Sequence, residues 1–316
     1  MTDKEKAVDD LKTKFKEWEE WLVGDDPHSI RNQINSMIWD SAVFQSIIEC
    51  RRYATNNEKD EIELNGTVHQ FIDKCFFETQ ALAIRRILDK RKDVISLRRL
   101  VGDIENHSHL LTRGNILETH DYPYNYEQEE RRLSDEAFKN VPSGTVVVMG
   151  QGSRKCFISE ATHKFIDLLA GLDSSNRSPD DCIRPQIFEW LRQRLDKCKE
   201  IATFVNKFLA HSATPESRNY LKPEELDVTL GQILKAHKII CQTTIFISGR
   251  MGILSQGHSI GDVLPFLPCD QLFAHFDKAW ATEEVIEKLS DSWRKYDMQT
   301  RNWQQWEWEN EFNKFL

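Results

Sequence analysis

The chain has 316 residues, 40% of them hydrophobic and 29% charged, with a formal net charge of −9. That length and balance suit a globular protein whose core needs no staples. The acidic surplus excludes a protein coated with nucleic acid, since phosphate binding wants a basic surface, but leaves room for a small RNA-cleaving cleft whose local charge opposes the total.

Residues 3–22 predict an amphipathic helix, with Leu11, Phe15, Trp18 and Leu22 spaced four, three and four apart and Gly24 and Pro27 stopping it. A second helix is predicted over 29–55, carrying Ile34, Ile38, Phe44, Ile47 and Ile48, before a polar break that ends at Asn65-Gly66. The cleanest pattern spans 67–92, where Val68, Phe71, Ile72, Cys75, Phe76, Leu82, Ala83 and Ile87 keep one face apolar, and 93–106 continues as another helix with Ser96 near its start. Residues 107–160 differ: Gly, Pro, Tyr and Asn rise, the run GTVVVMGQGS is the strand or hairpin candidate, and the section reads as a small irregular insertion or cap. Helices are predicted again over 160–171, 184–211 and 223–249, with a DSSNRSPDD loop between the first two and a Gly/Pro-rich connection over 248–270. A C-terminal tryptophan-bearing helix, 282–316, carries Trp293, Trp303, Trp306, Trp308 and Phe312, which at helical spacing read as core or dimer contacts. The expected fold is therefore all-α, one helical bundle over 1–316.

Seven scattered cysteines form no Cys-x-x-Cys pair, which argues against structural zinc, and their odd number fits a reducing compartment. The charged N-terminus lacks the apolar run of a signal peptide and no segment reaches membrane-spanning length, so a cytoplasmic protein without membrane partners, metal or cofactor is expected. His107 and His109 near Asp103 do not converge by spacing alone, and GQGSRK at 150–155 lacks the rest of a phosphate loop and reads as a turn.

The stretch EIATFVNKFLAHSATPESR, 200–218, concentrates the functional signal. Leu191, Leu195, Cys198, Ala202, Val205 and Leu209 form a core stripe, and His211 falls off it at the helix end, sharing a face with Lys207 and Phe204 and followed by Ser212 and Pro215. One account is structural: cations in a last turn complement the helix dipole. The other makes His211 a general acid or base, with Lys207 stabilising charge on a scissile phosphate.

NKFLAHS resembles the motif of HEPN proteins, an arginine, four to six residues, then histidine. Together with ALAIRRILDKRKDVISLRRL at 81–100 and DQLFAHFDKAW at 270–280, it makes the chain similar to the abortive-infection U-type members of that family. The resemblance implies a HEPN-like helical bundle of bacterial phage-defence or toxin–antitoxin type. It further implies metal-independent RNA cleavage, a homodimer, RNA as ligand, and an antitoxin or defence-system partner. It also implies an arginine at 204, 205 or 206, where this chain has Phe204, Val205 and Asn206. One lost donor of this kind is worth roughly 2.7–4 kcal/mol in other enzymes, so the alternative is a non-catalytic HEPN module binding a partner protein or nucleotide. The catalytic candidates are His211, Asn206 and Lys207, with Arg85 or Arg86 supplying the missing cation from another helix; Arg85 and Asp89, four apart, also suit a plain intrahelical pair. Arg113 and His120 match the arginine-x6-histidine spacing literally, but Gly114 and Pro123 disfavour a regular helix there and the match reads as chance. Arg113, His120, Ser212 and Tyr124 are the candidate RNA contacts, Tyr122, Tyr124 and Tyr126 offering rings for base stacking or simply for packing their own loop.

Overall fold

In the computed structural model, which describes residues 2–52, 66–139, 151–209, 214–217, 228–251 and 283–316, local chemistry sets several of the helix starts. The first helix, α1 (Asp3–Val23), opens on a capping box in which the Thr2 hydroxyl accepts from the Glu5 amide and the Glu5 carboxylate accepts from the Thr2 amide. Helices α2 (Ile30–Arg52) and α3 (Gly66–Ile87) follow, and Ser96 caps α4 (Leu97–Asn106) by accepting from the Arg99 amide. Short α5 (Arg113–Thr119) is capped by Thr112, α6 is Tyr126–Phe138, α7 is Gln151–Ala170 and α8 (Pro185–Asp196) has its proline in the first turn. Helix α9 (Lys199–Phe204) runs into a π-helical turn, Val205–Leu209. Helix α10 (Leu230–Ile245), capped by a Thr229–Gln232 box, runs into a second such turn at Phe246–Arg250. Helices α11 (Glu283–Asn302) and α12 (Trp308–Asn313) complete the described chain.

The described residues are helical with no strand; an isolated bridge between Thr112 and Cys182 is the only β pairing among them. The bundle centres on α10, which packs on α2, α3 and α8, while α11 lies on α2, α1 on α5, α4 on α8 and α9 on α3. One continuous apolar cluster runs through it, including Leu11, Trp18, Ile34, Ile84, Leu191, Ile240 and Trp293. The C-terminal tryptophans belong to this core: Trp293 meets Trp39 edge-on at 5.6 Å, and Trp190 stacks on Trp306 at 5.4 Å.

Several boundaries differ from those expected. The third helix stops at Ile87, not 92, because Asp89 takes the Arg91 amide in a side-chain turn and its own carbonyl takes the Ser96 hydroxyl. The 107–160 section is mostly helical where it is described, with short connections at 111–112 and 120–125. Tyr126–Phe138 and Gln151–Ala170 pack together as an α-hairpin, and Gln151 to Lys155 of the expected turn and strand lie in α7. Residues 144–150 of that strand candidate fall outside the described residues. The long 184–211 helix is broken at Lys197–Cys198 by tight i to i+3 bonds, yet Leu191, Leu195, Cys198 and Val205 remain buried, so the apolar stripe survives the break. The final helix is likewise interrupted, at Trp303–Glu307. No helix among the described residues is long and apolar enough to cross a membrane.

Candidate functional site

Two polar clusters stand out, and the candidate residues divide between them. The first lies where α3 meets the π-helical turn after α9. Arg85 sits near the end of α3 and reaches across 121 residues of sequence: its Nε donates to Asn206 Oδ1 at 3.1 Å, while its Nη1 pairs with Asp89 at 2.6 Å. The intrahelical pair and the long-range contact thus hold together. Burial of Asp89 works to raise its carboxyl, but the Arg91 amide and the Arg85 guanidinium outweigh it and hold the group below the usual carboxylate range. Asp89 therefore stays ionised and fixes Arg85 in place.

Arg85 also lines a cavity of about 490 Å³ with Arg86, Arg91, His28, Gln33, Asp26, Asp89, Asp93, Val94 and Ile95. Three arginines face three aspartates there, so the cavity is polar without a strong net sign. Arg86 is solvent-exposed on its wall. Gln33 donates to the carbonyls of His28 and Ile95, at 2.6 and 3.1 Å, and ties the α2 wall to the turn before α4. Lys207 turns away from the cavity and donates to the Ser217 carbonyl and, at 3.4 Å, to the Ser217 hydroxyl. Val205, in the slot of the expected arginine, is fully buried. His211 and Ser212 lie outside the described residues, as does the 270–280 segment. π-Helical turns occur frequently at functional sites; this one, Val205–Leu209, ends two residues before His211 in the sequence.

The second cluster was invisible to local sequence reasoning. Arg113 is fully buried, contrary to its reading as an RNA contact in an irregular loop, and it opens a regular helix despite Gly114. Its Nε donates to Asp181 at 2.8 Å, its Nη2 to Asp167 at 2.7 Å, and its Nη1 to the ring and carbonyl of His163 at 3.0 and 3.1 Å. Arg177 forks onto Asp167 through Nε and Nη2, the latter at 2.7 Å. Two cations and two anions balance, as a buried network requires.

The network also fixes the state of His163. An arginine only donates, so Nδ1 must accept from Arg113, and Nε2 then carries the proton and donates to the Tyr124 carbonyl at 3.0 Å. Burial pulls its pKa down and the Arg113 and Arg177 charges add to that. A neutral histidine with both nitrogens engaged is a pin, not a general base. His120 is likewise packed, stacked on Phe15 at 5.3 Å and on Tyr122 at 5.4 Å. Tyr124 lies edge-on to His163 at 5.1 Å and, with Tyr126, Arg131 and Arg177, lines an open polar cavity of about 390 Å³. The literal arginine-x6-histidine pair thus spans one short helix whose two ends are both committed to packing. Asp167, Arg177, Asp181 and His163 gave no sequence signal because their partners lie up to 68 residues away.

Among the described residues no group of three or more His, Cys, Asp or Glu side chains is placed to hold a metal. The chain matches no protein-family model, no curated protein and no solved structure.

Proposed function

We propose that this protein is a HEPN-like helical protein of phage-defence or toxin–antitoxin type that cleaves RNA without metal, and that Arg85 supplies the cation missing from its arginine–histidine motif. The observation that carries this reading is the 3.1 Å bond from Arg85 to Asn206, the polar residue of the motif, five positions before His211. In the mechanism His211 moves the proton of the attacking ribose hydroxyl or the leaving oxygen, and Arg85 neutralises charge building on the phosphorus oxygens. Asn206 and Asp89 keep the guanidinium from swinging into solvent, which spares the reorganisation a free side chain would need. Arg86, on the cavity wall, meets the neighbouring phosphate.

The test is cleavage of total cellular RNA by the purified chain in excess chelator, beside His211→Ala, Arg85→Ala, Arg85→Lys and Arg113→Ala variants whose folding is checked by circular dichroism. Loss of cleavage in His211→Ala is expected, with a hundred- to thousand-fold loss in Arg85→Ala and partial recovery in Arg85→Lys, which restores charge without the fork. Cleavage that survives in both His211→Ala and Arg85→Ala would sink the proposal.

A second reading has its own support. Asp89 already neutralises Arg85, and the motif slot holds a fully buried valine. A non-catalytic HEPN module would keep these groups as a latch between α3 and the π-helical turn and use the cavity to bind a partner protein or nucleotide. An inactive wild type that binds RNA or nucleotide and loses that binding in Arg86→Ala would favour it.

A further inference from the structure

The stretch from the end of α3 to the start of α4 opposes the charge of the whole. Between Arg85 and Arg99 seven basic residues stand against Asp89 and Asp93, in a chain whose net charge is −9. Arg85, Arg86 and Arg91 line the cavity described above. The other four, Lys90, Lys92, Arg98 and Arg99, line a second cavity of about 430 Å³ with Arg192 of α8, and the two cavities share no lining residue. Gly102, Asp103 and Asn106 of α4 complete the second wall. A side chain at Gly102 would meet nothing within 4 Å, so the open space begins at that residue. Pockets for ordinary organic ligands are mostly apolar, whereas the described lining of this one holds no aliphatic or aromatic residue.

The carboxylates nearby are already matched. Lys14 pairs with Asp103 at 3.1 Å, Arg98 with Asp196 at 2.9 Å, and Arg192 with Glu105. Lys90, Lys92 and Arg99 pair with no carboxylate among the described residues, which leaves three positive charges over at the cavity. Its arginines are also held in place. Arg99 lies 4.0 Å over the Trp21 ring and donates to the Val94 carbonyl at 2.8 Å, and Arg98 donates to the Arg192 carbonyl at 3.0 Å. A guanidinium has five N–H groups, so donors remain for a ligand. We propose that this cavity binds a chain of two or three linked phosphates, and that recognition ends at the phosphates. Fixed guanidinium forks suit phosphate oxygens. A single phosphate brings a charge of about −1.5 to −2 and leaves the surplus partly unmet. A nucleic-acid strand carries one charge per nucleotide with a sugar between, so it delivers less charge to one cavity than linked phosphates do. The chemistry is shared by inorganic oligophosphates and by the tail of a nucleotide; with no ring or aliphatic wall to hold a base, the cavity treats them alike. The site does not rest on the nuclease reading.

The test is titration calorimetry of the full chain in excess chelator with inorganic tripolyphosphate, orthophosphate, ATP, and a 2′-O-methyl RNA oligonucleotide without terminal phosphates. Tripolyphosphate should bind one to one, ATP within about threefold of it, and orthophosphate at least tenfold more weakly, in line with one to two lost charge-assisted bonds. Lys90 and Lys92 are exposed, so a Lys90→Gln, Lys92→Gln double variant keeps the fold and should weaken binding roughly ten- to a hundredfold. Gly102→Gln leaves the net charge unchanged, suits a helix better than glycine and places its side chain in the cavity; it should abolish binding while circular dichroism stays that of wild type. Four results would overturn the proposal: no binding of tripolyphosphate at millimolar concentration, undiminished binding in Gly102→Gln, ATP tenfold or more tighter than tripolyphosphate, or displacement of tripolyphosphate by the oligonucleotide at lower concentration. The last would make the cavity part of a nucleic-acid track.

Discussion

Replacing Arg113 with alanine removes the centre of the buried network and leaves its anions behind. Asp181 keeps the Ser178 amide, and Asp167 keeps the Arg177 fork, but each loses a direct ion pair of 2.7 to 2.8 Å. His163 loses the donor to its Nδ1 in a site that is 1% exposed. Removing one partner of a buried pair costs about 3–5 kcal/mol, mostly through the uncompensated charge left inside. The surviving Arg177 fork places this case towards the lower end, and Arg177→Ala, at the partly exposed edge, should cost less than Arg113→Ala. Urea titration followed by tryptophan fluorescence and by circular dichroism reads the loss. At about 2–3 kcal/mol per molar urea, the midpoint should fall by roughly 1–2 M. An Arg113→Ala protein within about 1 kcal/mol of wild type would refute the reasoning, because the buried aspartates would then have found water or protons at little cost. A stable variant that had nonetheless lost RNA cleavage would revive Arg113 as a catalytic group.

Two further outcomes concern buried titratable groups. His237 is fully buried and its pKa is pulled down to about 3 by desolvation, with neither ring nitrogen hydrogen-bonded. The unfolded chain, with histidine near 6.5, then binds more protons between those two values, so this contribution is complete above roughly pH 6.5 and is lost as pH falls, at up to about 1.4 kcal/mol per pH unit. His163 shifts the same way. The His237→Leu protein should be at least as stable as wild type at pH 7 and less acid-sensitive between pH 6.5 and 5, measured by urea midpoints; an unchanged pH slope would count against it. Glu311 pairs with buried Arg194, which also donates to Gln242 at 2.9 Å and lies 4.0 Å over the Trp306 ring. Glu311→Ala should therefore destabilise by about 3–5 kcal/mol and alter tryptophan emission before the main transition, whereas Glu309→Ala, nearby on the same short helix, should do neither.

What the sequence disclosed depended on how local the cause was. Helix starts were readable at Ser96 and over the amphipathic Leu11–Leu22 pattern, because caps and stripes act within a turn or two. The 107–160 section misleads because Tyr, Asn and Pro mark the short Asp121–Asn125 connection between α5 and α6, while the helices on either side owe their place to Arg113, Asp167 and Asp181, held from 54 to 68 residues apart. A tertiary ion network overrides a weak local preference, and nothing in a window of ten residues reports it. Arg85 is the opposite case. Its i to i+4 pair with Asp89 is legible from spacing, whereas its approach to Asn206 follows from no local pattern, and only the family resemblance points to a cation brought in from another helix.

The two arginine–histidine candidates now separate on physical grounds. In the pair with perfect spacing, Arg113 is buried against two carboxylates and His120 is stacked on Phe15 and Tyr122, so the guanidinium cannot meet a phosphate without breaking its buried ion pairs. In the pair with the wrong sequence, Arg85 keeps about a third of its side chain in solvent, sits on a cavity wall, and is held by contacts on two sides that leave one edge of the guanidinium for a ligand. Spacing along a helix specifies which face a residue shares, but catalysis needs a cation that is both fixed and reachable. Of the two arginines, only Arg85 meets both conditions, which is why the proposed chemistry rests on a contact between helices and not on the literal motif.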